Sequence, residues 1–439
     1  MKYTMSEVLQ FVEENDVKFV RLAFCDIFGN QKNISVMPGE LPRAFDSGIS
    51  FDASAIPGFM NVEQSDLFLV PDASTLSILP WRPSHGRVVR FFCDIRYPDA
   101  SPFEGDARGI LKNAVEAAMQ LGLVCKIGSE CEFYLFKTDE DGNPTKDPHD
   151  QAGYFDIAPR DCGENVRREI CLTLEQMGII PESSHHEQGP GQNEIDFKYS
   201  DALTAADHLI TFKSVVKTIA AQNGLYASFM PKPFKHQSGN GLHVNLSLFK
   251  NGLNIFRTDR GSHSPVAESF IAGVLARVPE MTAFLNPLTN SYVRFGSFEA
   301  PKYVTWSHQN RSQLIRIPAA TGVCSRMELR SPDPACNPYL AFALLIYAGL
   351  DGMKRELQLP EPSDFNVYEA DEKQLENLTR LPANLGEAIG LAQNSAFLSD
   401  VLPSKIIEHY CSAKFSEQEE LSHAKNEEKF EQKSYFFNI

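Results

Sequence analysis

Two hydrophobic periodicities divide the chain near residue 100. In the first hundred residues, short apolar runs such as Phe19–Phe24 and Val88–Phe92 alternate with turn sequences, a pattern typical of strands. Farther along, apolar residues recur at helical spacing, and these helical stretches end at Gly122 and Gly224. Because Tyr97–Pro102 has the composition of a linker, we predict one domain over residues 1–100 and a second over residues 101–439.

Four later segments predict strands on which polar side chains share one face, since side chains at i and i+2 of a strand point the same way. In the first, Glu130 and Glu132 lie together in an otherwise apolar run. Two like charges in such a strand are costly unless a cation lies between them. The alternative is a solvent-facing pair on an edge strand, and this segment alone does not decide between the two.

The second segment joins Glu187 to Glu194 through a Gly-Pro-Gly turn. That turn can fold the chain back and bring the two carboxylates to one place. The alternative is a polar loop that leads into an amphipathic strand.

In the third segment, His243, Asn245 and Ser247 line one face and aliphatic residues line the other. A single strand histidine is usually only hydrogen-bonded, but three aligned polar residues opposite an apolar face favour a site. The preceding loop, Ser238–Gly241, contains two glycines that let backbone approach a ligand closely.

The fourth segment carries Arg326, Glu328 and Arg330 on one face, which is either a surface ion-pair ladder or part of a site. Further arginines lie upstream, at Arg294, Arg311 and Arg316. Arginine binds carboxylate and phosphate groups bidentately, so this enrichment favours recognition of such groups.

Composition narrows the function. The 439 residues suffice for two or three domains, and a net charge of −16 with a pI near 5.2 argues against nucleic acid and anionic membranes as partners. The longest apolar run, Leu340–Leu350, is too short to span a bilayer, and the acidic N-terminus does not resemble a signal peptide. Nine cysteines without any C-x-x-C pair indicate a reduced, cytoplasmic protein.

The candidate ligands are five glutamates and one histidine, a set that favours Mg²⁺ or Mn²⁺ over structural zinc. A divalent metal together with arginines can stabilise the negative charge of a transferring phosphoryl group. The sequence contains no P-loop, no kinase signature and no G-x-G-x-x-G motif after a strand, so ATP would be held in another way.

Over nearly its whole length the sequence resembles the type I glutamine synthetases, and is nearest to their non-adenylylated subgroup. The resemblance rests on several stretches in the family's order: FDASAIPGF, GSECEF, SHHEQGPGQNEIDF, LHVNLSL, NPLTNSYVRF, NRSQLIRIPA and RMELRSPDPACNPYLAF. It implies an α+β protein with a small N-terminal β-grasp domain and a large catalytic domain, whose curved antiparallel sheet is flanked by helices. It also implies a homo-oligomer, a dodecamer of two hexameric rings, whose C-terminal tail docks into the facing ring.

The resemblance also implies roles for individual residues. Glu132, Glu187 and Glu194 match ligands of one metal, and Glu130, His243 and Glu328 match ligands of a second. Gly239, Arg294 and Arg330 match glutamate-binding positions, and Tyr154 matches the ammonium pocket. The nucleotide and its phosphates would be contacted by Glu182, Tyr199, Asn245, Ser247, Arg311, Arg316 and Arg326. Glu299 matches the flap acid, and Asp52 matches the base that acts in the next subunit's site.

The implied activity is ATP-dependent ligation of ammonia to the γ-carboxylate of L-glutamate through γ-glutamyl phosphate. Three departures from the family pattern lie near the acceptor and amino-acid pockets: Ala55 replaces a serine, Ser238 replaces an asparagine, and the flap from Arg294 to Glu299 is one residue shorter. A γ-glutamyl-amine ligase that uses a polyamine or an alkylamine is therefore an alternative. A non-catalytic, metal-binding regulatory oligomer is a second.

Overall fold

The computed structural model describes residues 3–82, 84–256, 263–320 and 322–439. The N-terminal part contains two helices and six strands: α1 (Met5–Glu14), β1 (Val17–Cys25), β2 (Gln31–Val36), α2 (Leu41–Asp46), β3 (Ile49–Asp52), β4 (Asp66–Pro71), β5 (Ser77–Ile78) and β6 (Arg87–Arg96). These strands form one mixed sheet in the order β2-β1-β6-β4-β3, with β5 also paired to β6. The strand runs predicted at Phe19–Phe24 and Val88–Phe92 lie in β1 and β6, which pair in parallel at its centre.

The described residues of the remaining chain form ten helices and ten strands. The strands are β7 (Val124–Thr138), β8 (Pro144–Pro148), β9 (Pro181–His186), β10 (Gln192–Asp201), β11 (Leu225–Ser228), β12 (Leu242–Lys250), β13 (Leu253–Asn254), β14 (Trp306–His308), β15 (Ile315–Ile317) and β16 (Met327–Leu329). The helices are α3 (Ala107–Gln120), α4 (Glu164–Gln176), α5 (Ala202–Gln222), α6 (Pro265–Leu285), α7 (Pro338–Lys354), α8 (Glu372–Leu375), α9 (Leu385–Gln393), α10 (Ala396–Val401), α11 (Ser404–His423) and α12 (Glu427–Glu431).

The second sheet has ten strands in the order β14-β15-β16-β12-β7-β10-β9, with three short strands paired at its margins. Every pairing is antiparallel except that of β14 with β15, so the predicted α+β fold with an antiparallel catalytic sheet is confirmed. The two helices predicted to end at Gly122 and Gly224 are α3 and α5. Each carries a row of buried apolar residues into the common core.

A buried arginine joins the two parts of the chain. Arg108, at the start of α3, forms ion pairs at 2.9–3.1 Å with Asp72 and Asp94 of the N-terminal part and with Asp207 of α5. The Tyr339 hydroxyl donates a further hydrogen bond of 2.7 Å to Asp207. Because a buried charge is stable only when it is paired, this cluster fixes the N-terminal sheet against the catalytic helices.

The C-terminal aromatic tail docks onto its own catalytic domain. Tyr435 and Phe436 are buried, and the Phe436 ring lies 4.9 Å from that of Phe136 on β7. The Tyr435 hydroxyl is 3.0 Å from Thr289 Oγ1. The prediction that these aromatic residues are docked is confirmed. Their predicted docking into the facing ring of an oligomer stays a prediction.

No helix within the described residues is long and apolar enough to cross a membrane. The apolar run Leu340–Leu350 instead lies inside α7, where nearly every side chain is buried in the core.

Replacement of Phe436 by alanine should destabilise the protein by about 3–5 kcal/mol, because it leaves a cavity under the tail. The adjacent Phe437 is 48% exposed, so its replacement by alanine should cost less than about 0.5 kcal/mol. Denaturant unfolding of both variants measures the difference. Equal midpoints for the two variants would contradict this docking.

Candidate active site

Strand register places the predicted ligands side by side on one face of the catalytic sheet. Glu194 of β10 lies directly opposite Glu132 of β7 on one side and His185 of β9 on the other. One step along the strands, Glu130 of β7 lies between His243 of β12 and Asp196 of β10. Directly paired residues point to the same face of a sheet, so two rows of polar side chains line one wall of a cavity of about 590 Å³.

Glu130 is held as a carboxylate. Its oxygens contact His243 Nδ1 at 3.2 Å and accept a hydrogen bond of 2.8 Å from the Asn245 side chain. Although burial opposes ionisation, the hydrogen bonds with His243 and Asn245 and the charge of Arg316 hold the pKa of Glu130 at about 2. Asn245 also accepts a 2.8 Å hydrogen bond from Arg326, so it connects the acidic wall to an arginine.

In the other row, Glu132 and Glu194 keep their protons. Burial, followed by the charge of Glu187, raises the pKa of Glu132 to about 8. Burial and the nearby Asp196 raise the pKa of Glu194 well above its usual value. Glu132 is nevertheless well positioned, because it accepts hydrogen bonds from the Gln192 side chain at 3.0 Å and from the Gly241 backbone at 2.9 Å. Buried carboxyl groups that keep their protons indicate that a positive charge belongs beside them.

Two groups of side chains that line this cavity have ligand atoms close enough to hold a cation. Glu130, Glu194 and His243 form one, and His185, Glu187 and Glu194 form the other; within each, the ligand atoms all lie within 4.8 Å of one another. Carboxylate oxygens with imidazole nitrogen suit Mg²⁺ or Mn²⁺, and burial together with neighbouring acids raises the pKa values of Glu132 and Glu194. The residues therefore fit the divalent metals predicted from the sequence.

Arginines form another wall of the same cavity. Arg294 is buried and donates to the backbone carbonyls of Ser331 at 2.7 Å and Arg330 at 3.1 Å. Arg311, Arg316 and Arg326 also line the cavity, together with Arg330. This wall can balance a carboxylate or a chain of phosphates opposite the acidic wall.

Glu328 lies behind the arginines and does not line the cavity. It is fully buried, forms an ion pair with Arg316, and accepts a 2.6 Å hydrogen bond from Arg330. His243 Nδ1 is 4.0 Å from its carboxylate. In this structure Glu328 orients two arginines, and its predicted role as a metal ligand stays a prediction.

The loop at Ser238–Gly241 brings backbone into the cavity. A Cβ atom at Gly239 would lie only 2.4 Å from the Pro231 carbonyl oxygen, so only glycine fits there. The Ser238 hydroxyl donates to Gln192, and its carbonyl accepts a 2.7 Å hydrogen bond from the Tyr134 hydroxyl. The loop is therefore fixed from below by strands β7 and β10.

The predicted flap closes one side of the cavity in a strained conformation. Phe298 and Glu299 have φ angles of 49° and 63°, which are uncommon for residues other than glycine. The Lys232 ammonium lies 4.6 Å from the centre of the Phe298 ring, and the Glu299 carboxylate lies 3.7 Å from Arg330. These contacts offset the strain and hold the flap over the cavity.

The structure brings most of the predicted residues together, but not all. Those that line the cavity are Glu130, Glu132, Tyr154, Glu187, Glu194, Gly239, His243, Arg294, Glu299, Arg311, Arg316, Arg326 and Arg330. Besides Glu328, the predicted residues that do not line it are Asp52, Glu182, Tyr199, Asn245 and Ser247. Asp52 is exposed at the end of β3 in the N-terminal part, and Tyr199 is 48% exposed.

Sequence reasoning missed His185, Asp196 and Gln192. His185 and Asp196 line the cavity, and Gln192 contacts Glu132 and the Ser238–Gly241 loop. Strand alternation could have identified Asp196, because Glu194 and Asp196 repeat the i, i+2 spacing of Glu130 and Glu132. No comparable local signal distinguishes His185 from its neighbour His186.

An acidic, metal-competent wall facing a set of arginines, on the antiparallel sheet of a two-part α+β fold, is suited to phosphoryl transfer onto a carboxylate. Comparison with known proteins agrees with this class. The sequence of residues 16–98 matches the family model of the glutamine synthetase β-grasp domain. That of residues 104–433 matches the family model of the glutamine synthetase catalytic domain. The chain belongs to the glutamine synthetase family.

Relatives and solved structures cover the chain almost completely. Glutamine synthetase of Clostridium saccharobutylicum is 48% identical over 95% of both chains, and that of Methanosarcina mazei is 47% identical over 95% of this chain and 94% of the relative. A complex of GmaS with ADP has a TM-score of 0.87 at 30% identity over the whole of both chains. Plasmodium falciparum glutamine synthetase has a TM-score of 0.86 at 26% identity over 99% of both.

Binding of Mn²⁺ at pH 7 should release protons, because Glu132 and Glu194 hold protons that a bound cation displaces. For the same reason, the affinity for Mn²⁺ should rise as the pH approaches the Glu132 pKa of about 8. Calorimetric titration in two buffers of different ionisation enthalpy counts the protons. Glu132→Gln should release fewer and the exposed Glu140→Gln should match the wild type, whereas no proton release by the wild type would contradict the raised pKa values.

Proposed function

We propose that this protein is an ATP-dependent ligase that joins ammonia to the γ-carboxylate of L-glutamate, giving L-glutamine, ADP and phosphate through γ-glutamyl phosphate. The observation that carries the proposal is the single cavity in which a metal-competent acidic wall faces Arg294, Arg311, Arg316 and Arg330. The curated relatives of 48% and 47% identity, both named glutamine synthetase, support it.

The acidic wall would hold two or more Mg²⁺ or Mn²⁺ ions, through Glu130, Glu132, Glu187, Glu194 and His243, with Glu328 as a further candidate. Such ions, when bound, offset negative charge on the phosphates of ATP. The protein's own contribution is position: Glu130 is kept ionised by His243, and Glu132 is oriented by Gln192 and the Gly241 backbone.

The arginine wall would bind the two anionic substrates. Arg311 and Arg316 would contact the transferring phosphoryl group, and the nucleotide would be contacted by Arg326, Asn245, Ser247, Glu182 and Tyr199. Arg294, Arg330 and the Gly239 backbone would hold glutamate with its γ-carboxylate toward the phosphates. Closure of the flap at Glu299 would exclude water, which would otherwise hydrolyse the acyl phosphate.

Asp52 is proposed as the base that deprotonates ammonium. It does not line the cavity of its own chain and is exposed, so it would act in the site of a neighbouring subunit of a cytoplasmic homo-oligomer, a dodecamer of two hexameric rings. Hydrogen bonds from the hydroxyl and backbone of Ser54 hold the pKa of Asp52 below its usual value. It is therefore a carboxylate at neutral pH and able to accept a proton.

A second candidate function is ligation of a larger amine to glutamate. Ala55, close to Asp52, is exposed and lacks the hydroxyl that the family carries there, which makes an acceptor pocket larger and less polar. Ser238 replaces the family's asparagine at the wall of the cavity and directs its hydroxyl to Gln192. The Ala55 change favours an alkylamine over ammonium, and the Ser238 change alters the amino-acid pocket, while Asp52 and Tyr154 retain the family's acceptor residues.

ATP hydrolysis with Mg²⁺ and glutamate, during titration with ammonia or one of a panel of amines, separates the two functions. Saturation by ammonia at millimolar concentration or below, with formation of glutamine, supports glutamate–ammonia ligation. Turnover driven by one amine at much lower concentration than ammonia would instead establish γ-glutamyl-amine ligation. Absence of ATP turnover with every acceptor would contradict both.

Asp52→Ala should slow attack by the amine while sparing formation of the acyl phosphate, because only the first of these steps requires a base. A matched control is Asp66→Ala: Asp66 is directly opposite Asp52 in the β3–β4 pair and is also exposed. Rapid-quench measurement of acyl phosphate and of amide product distinguishes the steps. Equal losses in both steps for Asp52→Ala would refute the assigned role.

A further inference from the structure

A second cavity, of about 470 Å³, lies between the N-terminal sheet and helix α5. Its lining carries five basic side chains, Arg21, Lys32, Arg82, Arg90 and Lys217, and the described residues that line it include no aspartate or glutamate. This accumulation of positive charge is unexpected in a chain of net charge −16. None of its lining residues lines the catalytic cavity, so the two are separate.

Two of the arginines are forced together by strand pairing. Arg21 of β1 lies directly opposite Arg90 of β6 in the parallel ladder. Like charges in directly opposite positions destabilise a sheet unless another group neutralises them. Within the described part of the chain, neither guanidinium lies within the 4.0 Å of a carboxylate that would make an ion pair.

Arg90 has unused hydrogen-bonding capacity. Its side chain is only 7% exposed, its Nη1 donates a 2.7 Å hydrogen bond to Thr211 of α5, and its guanidinium lies 4.0 Å from the centre of the Phe92 ring. Its Nε is buried and has no hydrogen-bond partner among the described residues. A buried donor on a charged group costs free energy when it is left unpaired, and Arg90 is also part of the cavity lining.

The electrostatic environment of the cavity is consistent with this deficit. Burial lowers the pKa of Arg90 to about 10. Burial, followed by the charge of Lys213, lowers the pKa of Lys217 to about 8. Neutral hydrogen-bonding groups complete the lining at Gln31, Asn33, Ser214, Thr218 and Gln222.

We propose that this cavity binds a small multivalent oxyanion, such as a phosphate or a dicarboxylate, between the N-terminal sheet and α5. Guanidinium groups at Arg21 and Arg90 would bind its oxygens bidentately, and Lys217 would approach from the helix. The volume exceeds the needs of one inorganic ion and accommodates an organic anion. Because the lining comes from both parts of the chain, the ligand ties β1 and β6 to α5 and stabilises their junction.

The test is calorimetric titration of the full-length protein with inorganic phosphate and, separately, with succinate, with chloride at matched ionic strength as the reference. Wild-type protein should bind at least one of the two anions at this cavity, and that anion should raise the thermal midpoint more than chloride does. Binding of phosphate or of succinate shows whether the cavity recognises a phosphate group or a dicarboxylate. Binding of neither anion would overturn the proposal.

Variants separate this cavity from the catalytic arginines, which can also bind phosphate. The double variant Arg21→Gln, Lys217→Gln should lose one class of sites per subunit, or bind at least tenfold more weakly there, while its ligase turnover without added anion is unchanged. A control is Arg96→Gln, which removes one positive charge from β6 outside the cavity and should bind like the wild type.

Arg82→Gln changes an exposed side chain of the same lining and should weaken anion binding even if the double variant does not fold. Wild-type stoichiometry and affinity in the Arg82→Gln variant and in any folded double variant would overturn the proposal. So would a change of oligomeric state in these variants without a change in anion binding, because a neighbouring copy's carboxylate would then be the natural occupant.

Discussion

The register of strand β7 with β10 and β12 is the constraint on which the catalytic cavity depends. It places Glu132 opposite Glu194, and Glu130 between Asp196 and His243. Because side chains alternate between the faces of a sheet, a slip of one residue would turn every one of these groups away from the cavity. The apolar residues between them, such as Cys131 and Ile195, are fully buried on the opposite face, so the hydrophobic core itself fixes that register.

The acids collected by that register cannot all be ionised together. His243 keeps Glu130 charged, whereas burial keeps protons on Glu132 and Glu194. On the arginine wall, Arg316 and Arg330 each form an ion pair with the buried Glu328. A cation beside Glu132 and Glu194 would favour their ionised forms, and an anionic substrate would share Arg316 and Arg330 with Glu328.

Hydrogen bonds and aromatic packing from β7 and β10 position the segments around the catalytic cavity. Tyr134 and Gln192 hold the Ser238–Gly241 loop from below, and the C-terminal tail packs on Phe136 of the same strand. The flap departs from favourable backbone geometry at Phe298 and Glu299, as does Phe155 in the lining of the same cavity. At the cationic cavity, strand pairing places Arg21 opposite Arg90, and among the described residues neither forms an ion pair with a carboxylate.

The sequence by itself determined the α+β fold, the family and the composition of the acidic and arginine walls. Alternation within single strands reveals which residues share a face, and local motifs carry that information. Only the tertiary structure decided which strands are neighbours, so it alone revealed that His185 and Asp196 join the cavity and that Glu328 faces arginines. It also decided that the tail folds onto its own β7 and that five cations of two distant segments meet in one cavity, because such contacts depend on pairing between residues far apart in the chain.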